Sequence, residues 1–233
     1  MTENKKLDQL VDLHLHSQYS SKAGEKQVPK GGYRPDYYIM KLKENNVRAF
    51  SFTDHDTFSH KFYLELKEVI DSLPNFKMSI FPGVEFRIRS VGSKLGDCNF
   101  IFNNNLNKEK LLKLNVLVSS IAQRSTGADI KNLIKNIEAA GFDFFIIPDV
   151  GKSGKSSFSI YQDVIKHIKY VEARKDFVFS KNIQNHLNID FKHAFFSDCH
   201  NIENYAKKPS QTKIEVPIDH EITFDDLKSS LIF

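Results

Sequence analysis

Residues Val11 to Ser20 read VDLHLHSQYS. His14 and His16 stand two apart between Leu13 and Leu15. Period-two alternation is a strand signature, so both imidazoles fall on one face and both leucines on the other. Paired imidazoles at the end of an apolar strand are a chelating arrangement by residue type.

The same kind of short apolar run recurs along the chain: AFSFTDH (49–55), SIFPGVEF (79–86), CNFIFN (98–103), FFIIPDV (144–150), KYVEA (169–173) and AFFSDCH (194–200). Each has the length of a buried strand. Amphipathic helical patterns lie between them. PDYYIMKLKENN opens with Pro35 and Asp36, HKFYLELKEVIDSL and KEKLLKLNVLVSSIAQ follow, DIKNLIKNIEAAG stops on Gly141, and IYQDVIKHI is shorter. Strands alternating with helices predict parallel pairing through crossover helices. Seven such strands predict a closed or nearly closed (β/α) barrel, with an open doubly wound sheet as the alternative. The polar, Gly-rich region 17–34 reads as a loop over the end of the first strand.

The chain has 233 residues, 40% of them hydrophobic, enough for one large domain with a substantial core, taken as residues 8–233. It contains no apolar run long enough to span a membrane and starts without an apolar signal segment. Cys98 and Cys199 make a poor disulfide framework. These features predict a cytoplasmic protein with free thiols and no membrane association. A net charge of +4 permits a phosphate-bearing substrate without demanding one.

Chemistry-bearing residues gather where the runs end: His14 and His16, then Asp54-His55-Asp56, Glu85, Asp149, and finally Asp198 and His200. In a parallel barrel those ends share one face, where active sites form. A lone strand histidine is usually a satisfied polar group, and Asp56 reads as a helix N-cap. The set as a whole is another matter, because so many imidazoles and carboxylates are costly to desolvate together without a cation.

Four motifs in order, DLHLHS, FTDHDT, FPGVEF and FSDCH, resemble the polymerase and histidinol phosphatase (PHP) family over about residues 10–205. The resemblance implies a distorted seven-stranded (β/α)7, TIM-like barrel, with a two- or three-metal phosphoesterase site at the C-terminal ends of the strands. It implies that His14, His16, Glu85 and Asp198 hold one metal and that Glu85 bridges to a second. The family's two further histidines are absent. Asp97 or Asn99 and Asp149 stand in their regions. His55 and His200 would hold a third ion or contact phosphate, and with Asp54 they make the catalytic set. The first loop offers Ser21-Lys22 where the family often has a third-site ligand. Oxygen ligands in place of nitrogen move preference toward Mn²⁺ or Mg²⁺, with Zn²⁺ and Fe²⁺ remaining open.

Lys152, Lys155, Arg87 and Arg89 are candidate substrate-phosphate contacts. DVGKSGKSS is similar to a nucleotide-binding loop but begins on Asp149 where that motif needs glycine. A flexible surface loop is an equal reading of this stretch. The tail EITFDDLKSSLIF reads as a helix capped by Thr223, and its start resembles the segment that leads into an ATPase domain in one PHP branch. Residues 210–233 would then lead to, or replace, a partner domain. The apolar end is compatible with packing on the domain, a homo-oligomer contact or a longer natural chain. Three functions stay open: a phosphoesterase or nuclease working with an ATPase partner, a phosphatase of small metabolites, and a non-catalytic binding module. Tyrosines in the QYS and GGYRPDYY stretches would favour nucleic acid if they surround the site.

Overall fold

The computed structural model describes residues 6–20, 32–74, 76–89, 95–122, 125–150, 162–168, 170–173 and 192–232. In chain order the strands are β1 (Lys6–Leu15), β2 (Val47–Phe52), β3 (Ser79–Ile80), β4 (Gly83–Arg89), β5 (Leu95–Phe102), β6 (Ala128–Asp129), β7 (Phe144–Val150), β8 (Tyr170–Ala173), β9 (Lys192–Ala194), β10 (Lys213–Pro217) and β11 (Leu231–Ile232). They form a five-stranded sheet, β11-β10-β1-β2-β3, and a six-stranded sheet, β6-β4-β5-β7-β8-β9. Isolated bridges between Leu15 and Cys199 and between His55 and Glu85 join the two sheets at one end.

The fold is therefore mixed α/β, but the expected all-parallel seven-stranded barrel is not what forms. No continuous ladder closes the described strands into a barrel, and β4, β5 and β7 pair antiparallel. The physical reason lies in one connection. Only residues 90–94 separate β4 from β5, whereas a parallel crossover needs a dozen or more residues. The two strands consequently fold back as a hairpin.

The helices follow their sequence signals. Helix α1 (Pro35–Glu44) has proline in its first turn and ends before Asn46, whose φ of 57° is left-handed. Helix α2 (His60–Asp71) is capped by Ser59, whose side chain accepts from the Phe62 amide. Asp56 is thus not the cap; its Oδ1 instead accepts from the Arg87 amide at 3.0 Å. Helices α3 (Lys108–Ile121) and α4 (Ile130–Ala139) are capped by Asn107 and Asp129, and Gly141, with φ 80°, ends the turn after α4. The tail forms α5 (Phe224–Ser230), where Thr223 and Asp226 make a reciprocal capping box.

Two apolar clusters hold these elements together. One packs Tyr38, Leu42, Phe62, Leu66, Leu114 and Ile137 of α1 to α4 against Phe50, Phe86 and Phe100 of the strands. The other gathers Val11, Leu13, Ile147, Tyr170, Ile214, Phe224 and Leu227. Leu13 and Leu15 are fully buried, as their side of the β1 alternation requires. No helix among the described residues is long and apolar enough to cross a membrane. Cys98 and Cys199 are both free.

Candidate metal centre

The end of β1 is pinned from both sides. The Thr53 amide donates to Leu15 O at 2.8 Å, and the His16 amide donates to Cys199 O at 3.0 Å. Ser17 donates from its amide and hydroxyl to the two Asp54 oxygens at 2.6 and 2.5 Å. Burial pushes the Asp54 carboxyl up to about 6 even against those bonds. Asp54 therefore works by holding the 17–20 turn onto the end of β2.

Four ligand-type atoms converge there. His14 Nε2 lies 3.2 Å from His16 Nε2, 3.5 Å from Glu85 Oε2 and 3.2 Å from Asp198 Oδ1. His16 Nε2 lies 3.3 Å from Glu85 Oε2 and 3.1 Å from Asp198 Oδ1. Ligands on a tetrahedral ion at about 2.0–2.1 Å stand roughly 3.3–3.4 Å from one another, so the spacing of His14, His16 and Asp198, which also group as a candidate metal site, suits a cation, with Glu85 Oε2 within 3.5 Å of both imidazoles. Protonation points the same way. His14 Nδ1 lies 2.5 Å from Glu172 Oε2, a partner for a ring proton on Nδ1 that would turn Nε2 toward the other ligand atoms. Burial holds the His16 imidazole down at about 3, despite the opposing pull of Asp198 and Glu85. Two imidazoles flanked by two carboxylates are a donor set for a divalent ion.

Asp198 reaches that point from an unusual backbone. The expected strand over 194–200 stops at Ala194, and Asp198 takes a left-handed φ of 48°, sparsely populated for residues other than glycine. The same break turns Cys199 away, so that its Sγ contacts Asn201 O at 3.0 Å.

A second group adjoins the first. His16, His55 and His200 each offer a ligand atom within 4.8 Å of the others. The His16 ring stacks on His55 at 4.5 Å and on His200 at 4.3 Å. His55 Nδ1 is 2.8 Å from Glu85 Oε2, and His200 Nε2 is 3.4 Å from Asp198 Oδ1. The His200 side chain is 22% exposed, which marks the solvent side of the site.

On the inner strands, pairing register decides which residues face Glu85. Asn99 stands directly opposite it, and Arg87 stands opposite Asp97. Asp97 accordingly does not take the place beside Glu85 expected of it; its Oδ1 pairs with Arg87 Nε at 2.7 Å, two residues outward. Asn99 donates from Nδ2 to Glu172 Oε2 at 3.1 Å, and its buried Oδ1 has no hydrogen-bond partner among the described residues. Asp149 is buried on β7 in register with Glu172 on β8. Arg87 is half-buried and Arg89 exposed, so the face carrying Glu85 runs outward from core to solvent. Lys152 and Lys155, with Ser21 and Lys22, lie outside the described residues.

Glu172 is the site residue that sequence reasoning missed. It is fully buried and touches both His14 and Asn99. The only signal available was one acidic residue inside the apolar run KYVEA. The carboxylates of Glu85, Asp149, Glu172 and Asp198 are all buried. A formal charge of that size without cations would be strongly unfavourable.

Solved structures share this fold, PsfC and an amidohydrolase among them. PsfC from Pseudomonas syringae PB-5123 aligns with a TM-score of 0.58 at 20% identity, over 97% of this chain and 91% of that one. An amidohydrolase from Chromobacterium violaceum, solved with bound sulfate and no metal, aligns with a TM-score of 0.50 at 12% identity, over 95% and 97%. At these identities the likeness is one of fold. No family model matches the chain, and no curated protein matches it.

Proposed function

We propose that this chain is a metal-dependent phosphoesterase of the PHP type. The observation that carries the proposal is that His14 Nε2 and His16 Nε2, 3.2 Å apart, each lie within 3.1–3.5 Å of both Glu85 Oε2 and Asp198 Oδ1. The motif order in the sequence supports the phosphoester assignment, and the amidohydrolase among the fold neighbours supports hydrolysis on this architecture.

In this reading the four converging residues hold the first ion. Glu85, Asp149 and Asn99 are the residues for a second, with Asp97 engaged by Arg87 instead. A donor set of oxygens suits Mn²⁺ or Mg²⁺. Such ions, when bound, polarise phosphoryl oxygens and acidify a water molecule. The chain's own groups do the rest. Glu172 fixes the His14 ring and its tautomer. Asp54 fixes the 17–20 turn against β2. His200, at the exposed edge, is placed to hydrogen-bond the ester or protonate its leaving oxygen. Arg87, its fork steadied by Asp97, is the rim cation nearest Glu85 along β4 and is placed for an anionic ester oxygen.

The test is reconstitution of metal-stripped protein with Mn²⁺, Mg²⁺ or Zn²⁺, assayed on phosphomonoesters and phosphodiesters. Hydrolysis that depends on metal and on His16 supports the reading. Metal binding without hydrolysis of any ester would instead support a binding module, the reading favoured by the loss of the family's two further histidines.

A further inference from the structure

Beside the metal centre lies a group of aromatic rings that the chemistry above does not use. Tyr19 follows His16 by three residues and is 46% exposed. It is the exposed large apolar side chain that sits on a segment leading straight out of the site. Its ring lies 5.2 Å from Phe62. Tyr33, at the entry to α1, stacks on Tyr37 at 4.9 Å with 21° between the planes. Tyr33 also meets Tyr38 edge-on at 5.8 Å, and Tyr38 meets Phe62 at 5.5 Å. The rings thus form one continuous group from Tyr19 to Tyr37.

This group is tied to the site from two directions. On one side, Tyr33 Oη donates to Asn201 Oδ1 at 3.5 Å and Tyr37 Oη to Glu203 Oε1 at 2.6 Å. Asn201 directly follows His200, whose ring stacks on His16. On the other side, Gln18 Nε2 donates to Tyr33 O at 3.3 Å, and Gln18 Oε1 accepts from Tyr38 Oη at 2.8 Å. Gly32 makes this junction feasible. Its φ is 75°, and a methyl group added there would meet the Gln18 side chain at 2.5 Å. The hydroxyls of Tyr33, Tyr37 and Tyr38 are held, while ring surface stays accessible at Tyr19 and, in part, at Tyr33 and Tyr37. Fixed rings with accessible faces are what stacking on a planar group requires.

We propose that Tyr19, Tyr33 and Tyr37 form a shelf for a planar aromatic group carried by the substrate, so that the preferred phosphoesters bear a nucleobase or an aryl ring. This inference rests on the phosphoesterase reading of the adjacent site and deepens it by naming a substrate class.

The experiment compares adenosine 5′-monophosphate, phenyl phosphate and ribose 5-phosphate. All three carry a phosphomonoester, and only the last lacks an aromatic ring. Equilibrium binding is measured by calorimetry on metal-reconstituted parent, Tyr19→Leu, Tyr33→Leu, Tyr33→Phe and Gly32→Ala, and hydrolysis is measured alongside. The parent should bind at least one aromatic ester about ten-fold tighter than ribose 5-phosphate, the order expected for stacking one ring. Preference for the adenosine ester identifies a nucleobase, and preference for phenyl phosphate alone identifies an aryl group. Tyr19→Leu, Tyr33→Leu and Gly32→Ala should shrink the ratio toward one, while Tyr33→Phe should keep it. Circular dichroism identifies any variant that fails to fold, and the remaining variants then decide. Equal binding of all three esters by the parent overturns the shelf, as does a ratio unmoved in both folded leucine variants. Hydrolysis separates the two failures: equal cleavage of all three esters sinks the shelf and leaves the phosphoesterase standing. Cleavage of none of them, nor of a phosphodiester assayed beside them, sinks the phosphoesterase, and the binding ratio still judges the shelf.

Discussion

Glu172 Oε2 lies 2.5 Å from His14 Nδ1, with both side chains fully buried. In the proposed centre this contact would do for His14 what a carboxylate does for many metal-bound histidines: fix the tautomer, orient the ring and raise the basicity of the far nitrogen. Glu172→Gln should lower the affinity for the first ion by about 10–100-fold, the usual cost of losing such a partner. Metal titration against a chelating dye measures it, with circular dichroism reporting the fold. Parent-like affinity in that variant would show that His14 is oriented by something else.

The second ion tests the oxygen ligands. Asn99→His and Asp149→His should each move preference from Mn²⁺ toward Zn²⁺, because imidazole suits zinc better than a hard oxygen does. Asp149→Ala should weaken the second ion and abolish turnover. A reconstitution series read as ions bound per chain, alongside activity, checks this. Indifference to Asp149→Ala would remove Asp149 from the ligand set.

Removing metal should also cost stability. Glu85, Asp149, Glu172 and Asp198 are buried together, and a cation that binds only the folded state adds its binding free energy to folding. Chelation should lower the melting temperature of the parent and have much less effect on His16→Ala. Equal shifts in both proteins would separate the metal from this site.

The tail provides a prediction independent of metal. Thr223 and Asp226 cap α5, so Thr223→Ala should cost about 1 kcal/mol, a melting shift of roughly 2–4 °C for a chain of this size. Burial works to raise the Asp226 carboxyl, but the bonds from Thr223 and His220 outweigh it and hold the group below its ordinary value. A carboxyl lowered in the folded state contributes stability that is present above its unfolded value of 3.8 and lost as pH falls through the folded one. Asp226→Asn should therefore lower the melting temperature at pH 7 by more than it does near pH 3. A constant difference across that range would assign the effect to packing instead.

Much of this centre was legible because its residues come in short local motifs. His14 and His16 share a strand end, and Asp198 and His200 flank a single residue, so spacing alone groups them. The Thr223 and Gly141 signals were likewise local, and both elements formed as expected. What the sequence hid was set by pairing across the chain. Only the β4–β5 register shows that Asn99, rather than Asp97, faces Glu85. Glu172 meets His14 across 158 positions of sequence, with no motif to announce it. The hairpin was missed because parallel pairing was expected throughout, although the chain between β4 and β5 is too short for a crossover helix. Asp56 lost the cap to Ser59 because two similar capping residues competed within four positions.

The central claim is that His14, His16, Glu85 and Asp198 hold a divalent ion. The most direct measurement is the metal content of protein purified without added metal and then dialysed against Mn²⁺ or Zn²⁺, for the parent and for a His14→Ala/His16→Ala variant that keeps its circular dichroism. The account predicts at least about one ion per chain in the parent and loss of that ion in the variant. A parent that binds no divalent ion under either condition, or a variant that binds as much as the parent, would contradict it.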